Sequence, residues 1–276
     1  MPGVTPDSSP QQSRPPPGTS PSAGASPWYV DAFTSAYLEV YAHRDETSAA
    51  REARGTLNLL RHDGSKGRLL DLGAGAGRHA RAFRILGCPV VAFDLSADLV
   101  LQSAAQGLPT VRGDMRALPF HEHSFGAVAC LFSSFGYFEQ DEEHLAVLAE
   151  IRRVLRPGGA ALLDLMDPRT VRFTLKSQSV EQVEGRTIEV ERALVEGGRR
   201  VEKSIRMIRD GSATLAWRES VRLFERSEVE ALATRARLGF ERVCGDFDGS
   251  EHRSGETRQI VVLRRAASPV PTARDF

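Results

Sequence analysis

The sequence predicts an α/β domain built on a parallel sheet with helices covering both faces. Three observations carry this. Short apolar strands alternate with amphipathic helical segments through the middle of the chain, those strands are apolar throughout rather than alternating, and a glycine cluster follows the first of them. The 276 residues suit one large domain, or a domain with an insertion.

Residues 1–27 hold eight of the fifteen prolines and only two charged residues, Asp7 and Arg14. Such a segment cannot bury enough apolar surface to offset chain entropy, so a disordered tail is expected, either a linker or a dispensable extension. The domain is then expected over 28–276. Residues 31–62 read as a helix, with Phe33, Tyr37 and Tyr41 repeating on one face. A strand over 67–72 runs into Gly73-Ala74-Gly75-Ala76-Gly77, and a helix over 78–86 follows. The strand 90–94 ends at Asp94, and Ser96 or Asp98 can cap the next helix. A short strand at 109–111 leads to Gly113-Asp114-Met115, and another spans 125–132. Asp141 is expected to cap a helix that Arg156-Pro157-Gly158-Gly159 stops, turning the chain into a strand over 160–165.

The rhythm then changes. Residues 186–195, 199–209 and 213–224 read as three antiparallel strands, with turns at Glu196-Gly197-Gly198 and Asp210-Gly211. Ser227 with Glu230 suggests a capping box for a helix ending near Gly239, and strands over 240–247 and 258–264 close the fold.

Composition narrows the function classes. Lys and Arg number 36 against 36 Asp and Glu, which argues against nucleic acid or an anionic membrane surface as the main partner. No apolar run approaches the ~20 residues of a membrane-spanning helix, and no signal-peptide core opens the chain. Cys88, Cys130 and Cys244 are far apart and read as reduced, buried thiols, so a cytoplasmic protein is expected. No metal-ligand spacing is present. His121 and His123 beside Glu122 read as a solvated turn, and Asp246-x-Asp248-Gly249 as a turn before the last strand.

A strand that enters glycines and opens a helix brings backbone close to a ligand at the carboxyl edge of a parallel sheet. Dinucleotides use this geometry, and Gly75-x-Gly77-x-x-Ala80 loosely fits their pattern. Asp71, two residues before the first glycine, would repel a pyrophosphate but suits a site that holds a cation. Asp94 is placed to accept from both hydroxyls of a ribose, and Asp114 from an adenine amino group, with Met115 against the ring. These loops together point to an adenosine-containing ligand.

At these residues the chain resembles the class I S-adenosylmethionine-dependent methyltransferases. Leu69-Leu70-Asp71-Leu72-Gly73-Ala74-Gly75-Ala76-Gly77 resembles the family's first motif, Phe93-Asp94-Leu95-Ser96 the second, and Gly113-Asp114-Met115 with Leu118-Pro119-Phe120 the third. Leu155-Arg156-Pro157-Gly158-Gly159 with Leu162-Leu163-Asp164 is similar to the segment after the fourth strand. The resemblance implies a Rossmann-like seven-stranded sheet, order 3-2-1-4-5-7-6 with strand 7 antiparallel, plus the three-stranded antiparallel insertion. Ser133-Ser134-Phe135-Gly136-Tyr137-Phe138 and that insertion look like bacterial small-molecule methyltransferases, in which the insertion, here about 168–224, forms a lid over the substrate.

For the cofactor, S-adenosylmethionine, the resemblance implies contacts from Asp71, Gly73, Ala74, Gly75, Gly77, Asp94, Leu95, Asp114, Met115 and Leu131. Tyr37 and Arg78 are candidates for the methionine carboxylate, although packing of the first helix explains Tyr37 equally well. Tyr41, Ser134, Tyr137, Trp217 and Arg218 are the candidate substrate contacts, and Tyr137 is the one candidate for a catalytic part, stabilising the methyl cation with its ring face. The implied reaction is in-line transfer of a methyl group to a nitrogen or oxygen of a small molecule, with no general base assigned. The alternatives are a nicotinamide-dependent oxidoreductase and a non-catalytic cofactor-binding protein of the same fold. The oligomeric state is left open.

Overall fold

A computed structural model describes residues 26–40, 46–183, 185–209 and 212–267. Most of the proline-rich tail, Tyr41 and the Asp210-Gly211 turn lie outside the described residues.

The main sheet contains β1 (Arg68–Leu72), β2 (Val90–Asp94), β3 (Thr110–Arg112), β4 (Phe125–Cys130), β5 (Leu155–Met166), β10 (Gly239–Cys244) and β11 (Arg258–Arg264). Their order is β10-β11-β5-β4-β1-β2-β3. The first five strands pair in parallel, while β11 runs antiparallel to both β5 and β10. Counted within the sheet, this is the expected order 3-2-1-4-5-7-6. The two-residue period of a strand sends alternate side chains into two cores. Leu70, Leu72, Val128 and Cys130 enter one, and Leu69, Ala127, Ala129 and Leu131 the other. Because both faces are covered, β4 is buried at every position.

Helix α4 (Arg78–Ile85) follows β1, α5 (Ala97–Ala105) follows β2 and α6 (Asp141–Val154) follows β4. Ser96 is the cap of α5, accepting from the Leu99 N–H at 3.3 Å. Between α6 and the straight part of β5, Leu155 pairs with Phe125 and Ala160 with Ala127. The Arg-Pro-Gly-Gly run between them therefore loops out of the ladder, which is the turn that the sequence predicts. All three cysteines are free and buried.

Four expectations are corrected. The single helix over 31–62 is three helices: α1 (Trp28–Asp31), α2 (Ser35–Val40) and α3 (Glu46–Leu60). Phe33 belongs to none of them, because its carbonyl accepts from the Ser96 hydroxyl instead of from a helical N–H. The insertion is a four-stranded antiparallel sheet, with β6 (Gln178–Val183) at its edge beside β7 (Arg186–Val195), β8 (Arg200–Arg209) and β9 (Ser212–Arg222). Helix α7 (Pro168–Thr174) leads into it. The cap of α6 is Gln140 rather than Asp141, with the Glu143 carboxylate accepting from the Gln140 N–H at 3.1 Å. Helix α8 (Arg226–Arg235) is capped by Glu225 with Glu228, not by Ser227 with Glu230.

Candidate active site

Strands β1 to β4 end on one edge of the sheet, and the turns that follow them enclose a cavity of about 280 Å³. The first turn is shaped from behind. The Gly73 and Ala74 N–H groups donate to the Phe93 carbonyl at 2.8 and 3.0 Å, which bends the loop over β2. Gly73 has φ +76°, and a Cβ there would stand 2.8 Å from the Ser134 Cβ. At Gly77 (φ +84°) a Cβ would meet Leu108 at 2.5 Å and Ser103 at 2.6 Å. Gly77 thus permits close packing onto the Ser103–Leu108 segment and stays outside the cavity wall.

Asp94 lines the cavity from the end of β2. One of its oxygens accepts from the Gly75 N–H at 2.7 Å and the other from the Ser96 N–H at 2.9 Å. The Leu95 N–H acts on it as well, and a carboxylate has about four acceptor positions, so room remains for a ligand hydroxyl. Burial raises the pKa of Asp94 against these hydrogen bonds. Asp71 does not reach the wall: it is buried in β1, and burial, helped by the charge of Asp94, pushes its pKa up to about 7. Asp114 lines the cavity while both its oxygens accept from Arg116. Burial works to raise its pKa, but the Arg116 hydrogen bonds outweigh that and hold it below the ordinary value.

Arg78 and His79 line the opposite side from the first turn of α4. Behind them the buried Glu52 of α3 accepts from His79 at 2.7 Å, Arg258 at 3.2 Å and Arg78 at 3.3 Å, and Ser48 accepts from Arg78 at 2.8 Å. Arg258 continues to Asp164 at 2.9 Å. Asp164 clamps the turn after β4, its carboxylate taking the Phe132 N–H at 2.8 Å and its carbonyl the Ser133 N–H at 2.9 Å. Phe132 and Ser133 both sit in the left-handed region (φ +59° and +60°), a strain that this clamp offsets.

The remaining wall is aromatic. Phe33 stacks on Tyr137 with centroids 5.3 Å apart, Trp28 meets Tyr137 edge-on at 5.0 Å, and Phe33 meets Tyr37 at 4.9 Å. Burial holds the Tyr137 hydroxyl well above its ordinary pKa.

The structure brings together most of the residues picked from the sequence. Gly73, Ala74, Gly75, Arg78, Asp94 and Leu95 share the wall with Asp114, Met115 and Leu131, and Tyr37, Ser134 and Tyr137 complete it. Trp217 and Arg218 do not line it. Trp217 packs beside Val40, Ile188 and Ile205 and donates to Glu219 at 3.2 Å, whereas Arg218 is exposed and paired with Glu202. Sequence reasoning missed Tyr29, Leu38, His79, Phe132 and Phe138. His79 was within reach, as the next residue in the first turn after the glycines. The others sit in turns or short helices with no periodic signal. His121 and His123 are exposed, and among the described residues no His, Cys, Asp and Glu cluster has the geometry to hold a metal.

A glycine turn at the head of a parallel sheet, acidic strand ends and one arginine in the wall define a nucleoside site better suited to a cationic ligand than to a pyrophosphate. Comparison with known proteins makes the class specific. A family model described as a methyltransferase domain matches residues 69–159. The chain is 30% identical over 204 residues to a cypemycin N-terminal methyltransferase from a Streptomyces species, covering 71% of this chain and 82% of the relative. It is 31% identical over 189 residues to a dTDP-3-amino-3,4,6-trideoxy-alpha-D-glucopyranose N,N-dimethyltransferase from Streptomyces venezuelae, covering 66% and 79%. The fold matches the structure of the CcbJ methyltransferase from Streptomyces caelestis with a TM-score of 0.75 at 17% identity, over 88% of this chain and all of that one. The chain belongs to the class I S-adenosylmethionine-dependent methyltransferases. It is a methyltransferase rather than an oxidoreductase, and S-adenosylmethionine is its cofactor. Among the described residues no helix is long and apolar enough to cross a membrane.

Proposed function

We propose that this enzyme methylates a nitrogen or oxygen of a small molecule held between the cofactor loops and the aromatic roof. The observation that carries this reading is the single cavity shared by the two: its floor is the turns after β1 to β4, and its roof is Tyr29, Phe33, Tyr37 and Tyr137. The wall fits S-adenosylmethionine on its own chemistry, with a carboxylate that keeps acceptor capacity at Asp94 and a turn that has no room for a Cβ at Gly73. Asp94 takes the ribose hydroxyls, Asp114 and Met115 face the adenine, Leu95 and Leu131 flank it, and Arg78 or Tyr37 takes the methionine carboxylate. Asp71 and Gly77 act from behind, by setting the shape of the loop.

Bound there, S-adenosylmethionine would supply an already activated methyl group, with its thioether as the in-line leaving group when a lone pair of the acceptor bonds to the methyl carbon. The residues of the chain align the acceptor and exclude water, and alignment alone is worth roughly 7–11 kcal/mol in favourable cases. The ring face of Tyr137 favours positive charge at that end of the cavity. The insertion over about 168–224 acts as a lid on the acceptor side, and the segment 28–276 as one methyltransferase domain. The Streptomyces venezuelae relative is an N,N-dimethyltransferase by name, which favours nitrogen over oxygen. Balanced charge supports a small-molecule acceptor over nucleic acid, and three buried free thiols support the cytoplasm.

The test combines two measurements. Calorimetry with S-adenosylhomocysteine reads cofactor binding, and incubation with trideuteromethyl-labelled cofactor and cell extract reads which metabolite gains mass. Saturable binding with a labelled small molecule is expected; binding without any labelled product favours a non-catalytic protein.

A further inference from the structure

A buried acid stands behind the cavity wall, outside the loops that face the cofactor. Glu52 in α3 is 3% exposed, and three donors from two other elements converge on its carboxylate. Arg78 and His79 come from the first turn of α4 and line the cavity, whereas Arg258 comes from β11. Burial works to raise the pKa of Glu52, but His79, Arg258 and Arg78 outweigh it, so the group keeps its charge. Arg78 opens α4, where the helix dipole disfavours a cation, and that first turn contains no acid. Glu52 supplies the missing charge from α3. Ser48, one helical turn before Glu52, accepts from the other terminal nitrogen of Arg78, so one face of α3 holds the guanidinium at two points. The helix is itself firmly seated, because a Cβ at Gly55 would stand 2.2 Å from the Phe247 carbonyl.

We propose that Glu52 is a positioning residue for the cofactor: it holds the Arg78 guanidinium toward the amino-acid end of S-adenosylmethionine, where Arg78 rather than Tyr37 takes the carboxylate. This rests on the methyltransferase reading above and deepens it. An arginine side chain loses much rotamer freedom when it binds, and a fixed acid that already holds its head removes most of that cost. The carboxylate of the ligand then meets a preorganised fork of donors, which a tyrosine hydroxyl does not offer. The Glu52–Arg78 contact of 3.3 Å is longer than the about 2.7–2.9 Å of a close charge-assisted pair. Glu52 therefore steers the guanidinium without consuming it, and spends its short contact, 2.7 Å, on His79. Without Glu52, a cation at the positive end of α4 would turn toward solvent.

Two ligands separate positioning from folding. S-adenosylhomocysteine carries the amino-acid end, and 5′-methylthioadenosine keeps the adenosine and the thioether without it. In calorimetry, Glu52→Gln is expected to weaken S-adenosylhomocysteine at least about 10-fold and to leave 5′-methylthioadenosine within about twofold of wild type. Arg78→Ala should show the same split. Adding Glu52→Gln to it should cost less than about a further twofold, because Glu52 acts through Arg78. A parallel loss of both ligands, or additive losses in the double variant, overturns the proposal. So does S-adenosylhomocysteine affinity in either single variant within about threefold of wild type. Failure of the wild-type protein to bind S-adenosylhomocysteine overturns the methyltransferase reading as well. Should Glu52→Gln fail to fold, Arg78→Ala and Glu52→Asp, which keeps the charge on a shorter arm, are read in the same way, and the split must appear in both.

Discussion

Asp94 holds the Gly75 and Ser96 N–H groups and, in the proposed complex, the ribose hydroxyls as well. Replacing it by alanine removes charge-assisted hydrogen bonding to the ligand and loosens the glycine turn. S-adenosylhomocysteine affinity measured by calorimetry is expected to fall at least about 100-fold. His144 makes a different prediction. It is fully buried among Phe135, Phe138 and Phe224, and burial lowers its pKa to about 4, with Arg200 and Arg222 opposing protonation and Asp141 and the Gln140 carbonyl favouring it. Because the folded pKa lies below the unfolded value of about 6.5, the unfolded chain takes the proton first. Stability from this residue is complete above pH ~6.5 and is lost as pH falls towards ~4, by about 2 kcal/mol at pH 5. Urea midpoints at pH 7 and pH 5 should therefore separate less in His144→Phe than in wild type. Asp71 and Asp164, whose raised pKa values act in the opposite sense, are common to both proteins and cancel in the comparison.

Among the elements, helix α8 separates what its sequence suggests from what it does. Glu228 accepts from the Glu225 N–H at 2.8 Å and from the buried Arg222 guanidinium at 2.6 Å. Glu228→Ala removes the cap and half-strips a buried cation, an expected loss of about 2–3 kcal/mol by thermal unfolding. Ser227→Ala should stay within about 0.5 kcal/mol. Apolar patterning located the helix, but it left two capping pairs open, and the choice fell to Arg222 on another element. Similar physics hid the other misplaced pieces. The edge strand β6 is largely exposed and therefore has no alternation to read. The break at Phe33 depends on Ser96, which is 63 residues away. By contrast, β1, β2, β4 and β5 are buried on both faces, and such strands declare themselves in the chain.

For the whole molecule, the division is between a floor and a roof. The floor follows β1 to β4 in chain order, so spacing alone exposed Asp94, Asp114 and the glycines. The roof comes from residues 28–40 and from the turn at 133–138, which meet only in the folded protein, so Tyr29 and Leu38 had no signal of their own and Phe138 was legible only as the end of the 133–138 segment. Ligand binding should couple the two. At S-adenosylhomocysteine about 100-fold above its Kd, stabilisation of about 2.7 kcal/mol should raise Tm by about 5–10 °C. Hydrogen exchange should then slow at residues 28–40 and 133–138 as well as in the glycine loop. Protection confined to the loop would separate roof from cofactor.

Gly136 limits how such an enzyme can be rebuilt. A methyl group at this position would stand 2.8 Å from both the Arg222 carbonyl and Val221. Arg200 reinforces that contact by donating to the Phe138 carbonyl at 2.6 Å. The turn and β9 are thus a matched pair, and grafting one without the other would wedge them apart. A chimaera that exchanges acceptor preference should therefore carry residues 133–138 and 200–222 from the same parent, while the cofactor half stays in place.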